Sequence, residues 1–176
     1  MLSKKDVLLL VVSKKLYAEC LKKAAKALTS SWPNIFCMTF NTPFSQLSKY
    51  FESAGINDSK SVFADAVTEI KGKAELGNCI LISDAKDIRA LNDNVNYIFK
   101  QTEVGSMLVD FVPNPHALFK QNDFIKFLHI IIAKIRVTEL KGILVVPAES
   151  IPKPLLDDLT MFVDEVLKLK TESNLK

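Results

Sequence analysis

One stretch of the sequence, residues 106–147, constrains the fold more than any other. It opens with a short apolar run that ends at Asp110 and continues into a loop containing Pro113 and Pro115, which should be extended. A long segment with apolar residues at helical spacing follows, and Gly142 is predicted to end that helix before a second apolar run. Strands that are apolar at every position are typical of parallel sheets covered on both faces. The stretch therefore predicts a βαβ unit.

The same alternation of strand and helix extends over the whole chain. The predicted strands are residues 7–12, 35–40, 61–67, 79–82, 107–109, 143–146 and 165–169. This order predicts an α/β fold, a three-layer αβα arrangement around a mostly parallel sheet of about seven strands, with the mixed last strand at an edge. We expect one domain over residues 1–176, a mobile loop at 69–78 and a frayed tail at 170–176.

Local signals predict where the other helices begin and end. Thr42 followed by Pro43 is typical of an N-cap and the first position of a helix. Gly55, with an apolar residue after it, predicts a Schellman ending for the same helix. Asp84 is predicted to cap the third helix, with Asp87 adding favourable negative charge in its first turn.

Composition argues against several functional classes. The net charge is only +3 and the lysines are spread along the chain, so neither nucleic acid nor an anionic membrane is indicated as a partner. No apolar run approaches the roughly 18 residues of a membrane span, and the N-terminal run lacks a signal-peptide cleavage site. Cys20, Cys37 and Cys79 lie within periodic segments without metal-ligand spacing. They predict reduced core cysteines in a cytoplasmic protein with no metal or other cofactor.

Ligands of open parallel sheets bind at the carboxyl ends of the strands, so a binding motif is expected at those positions. The first strand is followed by Ser13, Lys14 and Lys15, and the chain then enters a helix. No glycine precedes Gly55, so both glycine-rich phosphate-binding motifs are absent. Ordinary P-loop or Rossmann nucleotide binding is not expected. Lys14 or Lys15 near the helix N-terminus could meet an anion, but solvent-facing lysines are the interpretation we favour.

Asp110 leaves two interpretations open. It stands where an α/β ATPase keeps its magnesium-associated acid, at the end of an apolar strand. Alternatively, it is a structural acid that caps the next loop or bonds to the backbone of a neighbouring strand, which we favour because the phosphate loop is missing. Asp65 has the same ambiguity. His129 and His116 have no sequence neighbour that would form a nucleophile–base pair, so they are expected at the surface or in a loop.

The order of these segments resembles a degenerate archaeal member of the RecA/KaiC-like ATPase superfamily. The resemblance is carried by FCMTFNTPFSQLSKYFESAGIN, SVFADAV, SMLVDFVPNPHALFKQNDFIKFLHIIIAKIRVTELKGILVV and MFVDEVLKL. It implies a RecA-like fold with Asp110 at the Walker B acid. However, the Walker A loop is absent between Val12 and Leu16, and Asn41 and Thr42 stand where the family has catalytic glutamates. Neither residue accepts a proton from water effectively, so we expect no enzymatic activity.

Three functions follow from these observations. The first is a non-catalytic interaction or regulatory module that associates with itself or with an active ATPase relative, since sheets of that superfamily assemble side to side. The second is a nucleotide- or small-anion-binding protein with weak or no ATPase activity, which would use Ser13, Asn41 and Asp110 at the strand ends. The third, a nucleic-acid-associated protein, ranks last because interleaved basic and aromatic residues are absent.

Overall fold

The computed structural model describes residues 6–32, 34–68, 74–82, 87–111 and 121–170. Within those residues the strands are β1 (Val7–Val12), β2 (Ile35–Thr39), β3 (Ser61–Asp65), β4 (Ala74–Leu76), β5 (Cys79–Leu81), β6 (Ser106–Asp110), β7 (Lys141–Pro147) and β8 (Glu165–Leu169). The α-helices are α1 (Tyr17–Ser31), α2 (Phe44–Ser53), α3 (Ile88–Gln101), α4 (Gln121–Val137) and α5 (Lys153–Phe162). Short 3₁₀ helices, Lys14–Leu16 and Asp58–Lys60, precede α1 and β3.

The strands form one sheet in the order β4-β5-β3-β2-β6-β7-β1-β8. All neighbouring strands are parallel except β4 and β5, which are antiparallel. The predicted α/β class with a mostly parallel sheet is confirmed, as are the βαβ unit of β6, α4 and β7 and the edge position of β8. The prediction of a loop throughout residues 69–78 was wrong, because β4 lies there and Gly77, at φ +62°, turns the chain into β5. Residues 69–73 lie outside the described part of the chain.

The sheet is covered on both faces by apolar layers. Helices α1 and α2 pack on one face, while α3, α4 and α5 pack on the other. Side chains of β1 alternate between the two layers, since Leu9 faces α4 and its neighbours Leu8 and Leu10 face α1. This double burial explains why β1 is apolar at every position. In the described segments, no helix is both long and apolar enough to span a bilayer.

Two helices begin differently from the sequence predictions. Helix α2 starts at Phe44, one residue later than predicted, and Thr42 does not cap it. The cap comes instead from the next strand, because the Phe44 N–H donates a 2.8 Å hydrogen bond to Asp65 Oδ2. Helix α3 is capped by Asp87, whose Oδ1 accepts a 2.8 Å bond from the backbone N–H two residues on. Asp84, the predicted cap, lies outside the described residues, as do residues 112–120, where the sequence predicts a loop with Pro113 and Pro115.

Helix ends show one confirmed and one corrected prediction. At the end of α2, Gly55 has φ +69° and the following N–H donates to Phe51 O at 2.9 Å, which confirms the Schellman motif. Helix α4 ends five residues before Gly142, and the residue with positive φ is Glu139, at +56°. Gly142 lies inside β7, where an added Cβ would come within 2.5 Å of Ile135 Cδ1. It therefore permits close contact between α4 and the sheet rather than ending the helix.

Candidate functional site

The candidate site lies at the carboxyl ends of the adjacent strands β2, β6, β7 and β1. The chain leaves β1 and β2 for helices on one face of the sheet, and leaves β6 and β7 for helices on the other. Adjacent strands whose connections diverge in this way open a crevice, which is where open α/β sheets bind ligands. The three residues proposed from the sequence, Ser13, Asn41 and Asp110, all follow or end strands at this crevice.

A row of polar residues crosses the sheet at this level. Asp65 in β3, Thr39 in β2 and Asp110 in β6 are in register, and Val145 of β7 continues the row. Residues in register across parallel strands point to the same face, and Val145 belongs to the apolar layer beneath α1 and α2. The three polar side chains therefore face the α1–α2 layer, where they are fully or almost fully buried.

Asp110 is the centre of a hydrogen-bond cluster that closes the crevice. It is only 1% exposed. Its Oδ1 accepts a hydrogen bond from the Tyr17 hydroxyl, and its Oδ2 lies 2.9 Å from the Thr42 backbone N and 3.0 Å from Thr39 Oγ1. Asp110 thus joins the first turn of α1, the end of β2 and the β2–α2 loop. The backbone group that Asp110 binds lies in the loop after β2, whereas the structural interpretation had Asp110 cap the loop that follows it or bond to the backbone of a neighbouring strand.

Burial dominates the electrostatics of this cluster. Loss of solvent raises the pKa of Asp110, although hydrogen bonds from Thr42, Tyr17 and Thr39 oppose the shift. Burial, followed by the nearby Asp110 charge, raises the pKa of the Tyr17 hydroxyl well above its ordinary value. Burial and Asp110 likewise raise the pKa of the Cys37 thiol. Both groups are therefore neutral at physiological pH, and among the described residues no ion pair to Asp110 is present.

Tyr17 fills the crevice, and sequence reasoning missed it. Its side chain is 9% exposed, and its hydroxyl lies 3.3 Å from the carbonyl oxygen of Val145 as well as contacting Asp110. Asn41 lies beside Tyr17, where its side chain opposes the rise in the pKa of the Tyr17 hydroxyl. In the sequence, Tyr17 counts as one more apolar position of a helix stripe. Its hydroxyl was the available signal, because a buried tyrosine needs a hydrogen-bond partner.

The backbone N–H groups of the turn after β1 also find their hydrogen-bond partners within the chain. The N–H of Ser13 donates to the Leu169 carbonyl at 3.0 Å, and the Ser13 side chain makes no capping hydrogen bond. The backbone N–H of Lys14 lies 3.1 and 3.3 Å from the two carboxylate oxygens of Glu149, which follows β7. An internal carboxylate therefore occupies the position where a helix N-terminus would meet an anion. Lys14 and Lys15 are exposed, as the favoured interpretation predicts.

The remaining candidates do not join this cluster. Asp65 accepts hydrogen bonds from the backbone of Phe44 and Val67 and from both the backbone and the hydroxyl of Thr68, so it organises two turns. His129 lies on α4, where its Nε2 is 2.9 Å from Asp158 Oδ2 of α5. His116 lies outside the described residues. Within the described part of the chain, no group of three metal-ligating side chains occurs.

Comparison with known proteins adds to the description of the fold. No protein-family model matches the chain. No curated protein matches it either. A solved structure from Pyrococcus horikoshii OT3, described only as a structural study of a project protein, aligns with a TM-score of 0.61 and 16% identity. The alignment covers 96% of this chain and 83% of that one. At this identity the likeness shows a shared α/β fold alone.

Proposed function

We propose that this chain is a non-catalytic RecA/KaiC-like domain that serves as a protein-interaction or regulatory module. The observation that carries the proposal is the closed crevice at the carboxyl ends of the strands. Tyr17, Thr39 and the Thr42 backbone occupy the oxygens of Asp110, and Glu149 occupies the Lys14 N–H. The chain's own side chains and backbone thus take the positions that a nucleotide and its cation would need.

Around Asp110, the described residues offer few of the groups that phosphoryl transfer requires. Hydrolysis of a nucleotide needs a base or positioning residue for water and cationic groups along the phosphates. Asn41 and Thr42 provide no proton acceptor of suitable strength, and Asp110 is buried away from solvent. These properties support a role that does not depend on turnover.

Exposed apolar side chains support an interaction role. Among the described residues on the face covered by α3, α4 and α5, the exposed large apolar side chains are Tyr97, Ile130, Val137, Met161 and Phe162. Single exposed apolar residues are ordinary, whereas a contiguous apolar patch is typical of a surface that meets another protein, so the proposal requires that these residues act together as one patch. The resemblance to the ATPase superfamily suggests a second copy of the chain or an active relative as the partner.

A nucleotide titration tests the closed crevice. Bound ligand at about 100 times its Kd stabilises a protein by about 2.7 kcal/mol, which corresponds to roughly 5–10 °C in Tm for a chain of this size. We expect Tm to stay unchanged with ATP or ADP and magnesium. A magnesium-dependent increase that Asp110→Ala abolishes would contradict the proposal and favour the nucleotide-binding alternative.

Sedimentation analysis tests self-association through the exposed apolar residues. We expect a dimer or larger species that Val137→Glu or Met161→Glu weakens at least tenfold, because a charge would be buried at the contact. Leu76→Glu is the matched control, since Leu76 is also exposed but lies on β4 at the far edge of the sheet. A chain that stays monomeric at all concentrations would rule out the self-associating form of the proposal.

A further inference from the structure

One backbone acceptor near Asp110, the Thr42 carbonyl oxygen, determines which way the neighbouring Thr39 hydroxyl donates its proton. The Thr42 carbonyl oxygen lies 2.6 Å from Thr39 Oγ1. A carbonyl can only accept, so Thr39 donates its single hydroxyl proton to Thr42 O. Thr39 is fully buried and Thr42 nearly so, which makes the loss of this bond costly.

Thr39 Oγ1 also lies 3.0 Å from Asp110 Oδ2. Because the hydroxyl proton of Thr39 is committed to Thr42 O, an ionised Asp110 would place two oxygens in contact with no proton between them. The Thr42 N–H does not resolve this conflict, since it is already shared between Oδ2 at 2.9 Å and Thr39 Oγ1 at 3.0 Å. The cluster is one proton short if Asp110 is a carboxylate.

We propose that Asp110 is a neutral carboxylic acid in the folded protein, that its Oδ2 donates a hydrogen bond to Thr39 Oγ1, and that this proton keeps the crevice closed. Tyr17 then donates to Oδ1, Asp110 donates to Thr39, and Thr39 donates to the Thr42 carbonyl. Every hydroxyl proton then has an acceptor, and Thr39 Oγ1 accepts the Asp110 proton beside the shared Thr42 N–H, with the Asn41 N–H as a weak third donor at 3.4 Å. Such aligned bonds strengthen one another in a buried site.

Among the described residues, no group that faces Asp110 carries a positive charge, and only hydrogen bonds from Thr42, Tyr17 and Thr39 favour its ionised form. From α1 it meets the Tyr17 phenol, from β2 the Cys37 thiol, and from β7 the carbonyl-bearing backbone at Val145. Phenol and thiol are both neutral, and in the described part of the chain no cation faces the carboxyl group. A buried carboxyl group without a counter-charge is more stable when protonated.

Asp65, two strands away in the same row, provides an internal contrast. Its oxygens meet three backbone N–H groups, from Phe44, Val67 and Thr68, together with the Thr68 hydroxyl. Every one of these neighbours can donate, so no additional proton is needed there. The difference between the two acids lies in their partners, because both are buried.

Loss of the proton from Asp110 should open the β2–α2 loop. With Asp110 ionised, either Thr39 turns its proton towards Oδ2 and leaves Thr42 O without a donor, or the two oxygens repel each other. Residues 40–43 are held by these bonds and cover the carboxyl end of β6. The proton on Asp110 therefore keeps the β2–α2 loop closed over the crevice, whatever partner the domain binds.

Infrared spectroscopy of the wild-type chain at neutral pH tests this directly. We expect a protonated-carboxyl C=O band that Asp110→Asn removes and that the control variant Asp87→Asn retains, since Asp87 is an exposed helix cap. Absence of the band in the wild type, or its persistence in Asp110→Asn, would overturn the proposal. Should Asp110→Asn fail to fold, carboxyl ¹³C NMR on the wild type decides. One aspartate carboxyl resonance must keep the chemical shift of a neutral carboxylic acid at pH values far above the usual pKa of about 3.9. If all aspartate resonances titrate near that value, the proposal is overturned.

The dependence of stability on pH gives a second test. An acid with a raised folded pKa stabilises the folded state below the unfolded pKa, and that contribution is lost as pH rises from about 3.9 through the folded pKa. We expect the folding equilibrium constant of the wild type to fall by up to tenfold per pH unit in this window, relative to Asp110→Asn. Identical pH profiles for the two proteins would overturn the proposal.

Discussion

The two ends of the sheet hold their buried or half-buried acids in opposite ways. At the carboxyl end, Asp110 is enclosed by hydroxyl and amide groups and its pKa is raised by burial. At the amino end, Asp164 accepts hydrogen bonds from the N–H groups of Asp6 and Val7 at 2.9 and 2.8 Å and from the Arg136 guanidinium at 2.8 Å. Burial alone would raise the pKa of Asp164, but these bonds and the Arg136 charge outweigh it, so the pKa is lowered.

The difference shows what decides the state of an acid at a sheet end. Both acids bond to the backbone of a neighbouring strand or loop, so backbone contact does not distinguish them. Asp164 differs from Asp110 in having a cation, Arg136, paired with it and access to solvent, and at the same end Lys141 pairs with Asp6 at 2.7 Å. The charged end tolerates water and salt, whereas the crevice end depends on excluding water.

The largest expected effect on stability comes from removing the Asp110 carboxyl group at the carboxyl end of the sheet. Asp110→Ala removes the shared partner of a buried cluster, leaving the Tyr17 hydroxyl only its 3.3 Å contact with Val145 O and the Thr42 N–H only Thr39 Oγ1. We expect a loss of roughly 3–5 kcal/mol in the free energy of unfolding. Urea denaturation measures this. Asp87→Ala, which removes an exposed helix cap, should cost only about 1 kcal/mol. A similar cost for both variants would contradict the role assigned to Asp110.

A smaller effect is expected from one hydroxyl of the same cluster. Tyr17→Phe keeps the ring that fills the crevice but leaves Asp110 Oδ1 without its donor, which should cost about 1–3 kcal/mol. The matched control is Tyr50→Phe, because the Tyr50 hydroxyl bonds to Gln46 at the surface and its removal should cost less than about 0.5 kcal/mol. Equal urea midpoints for the two variants would show that the Tyr17–Asp110 hydrogen bond stabilises the fold no more than a surface hydrogen bond does.

The smallest effect on stability should come from removing the charge of Asp164 at the amino end of the sheet. The stability that Asp164 contributes should change with pH in the opposite direction to that of Asp110. Because the folded pKa of Asp164 is lowered, its contribution is present above the unfolded value of about 3.9 and is lost as pH falls through the folded pKa. Asp164→Asn should cost about 1 kcal/mol at neutral pH, less in high salt, since the group is partly exposed. Unfolding curves at several pH values would check this, and a variant that loses stability only at alkaline pH would contradict it.

The sequence predicted the sheet well because its evidence is local. Apolar runs such as Val7–Val12 reveal strands covered on both faces without any knowledge of their neighbours. The three residues of β4 are too few for such a pattern, which is why a loop was predicted there. The position of Asp110 at a strand end was also predictable, because it depends only on where β6 stops.

The partners of Asp110 could not be predicted in this way. Tyr17 is 93 residues away and Glu149 lies 135 residues from Lys14, so both contacts depend on the strand order. Thr42 looked like a helix cap because Pro43 follows it, yet its N–H is used by Asp110 and the cap of α2 comes from Asp65. Capping rules consider neighbours along the chain, whereas these partners come from other strands.

The position of β1 in the sheet has a consequence for how the protein is made. Its two strand neighbours are β7 and β8, so Val7 lies opposite Gly142 and Leu8 lies opposite Glu165. Ribosomes add about 5–20 residues per second, so β1 waits on the order of ten seconds or more for its partners to be synthesised. During that interval an apolar segment with unpaired edges is available to chaperones or to other nascent chains. Although β1 precedes β7 and β8 by more than 120 residues in the chain, it cannot be paired with either of them until that strand has been made.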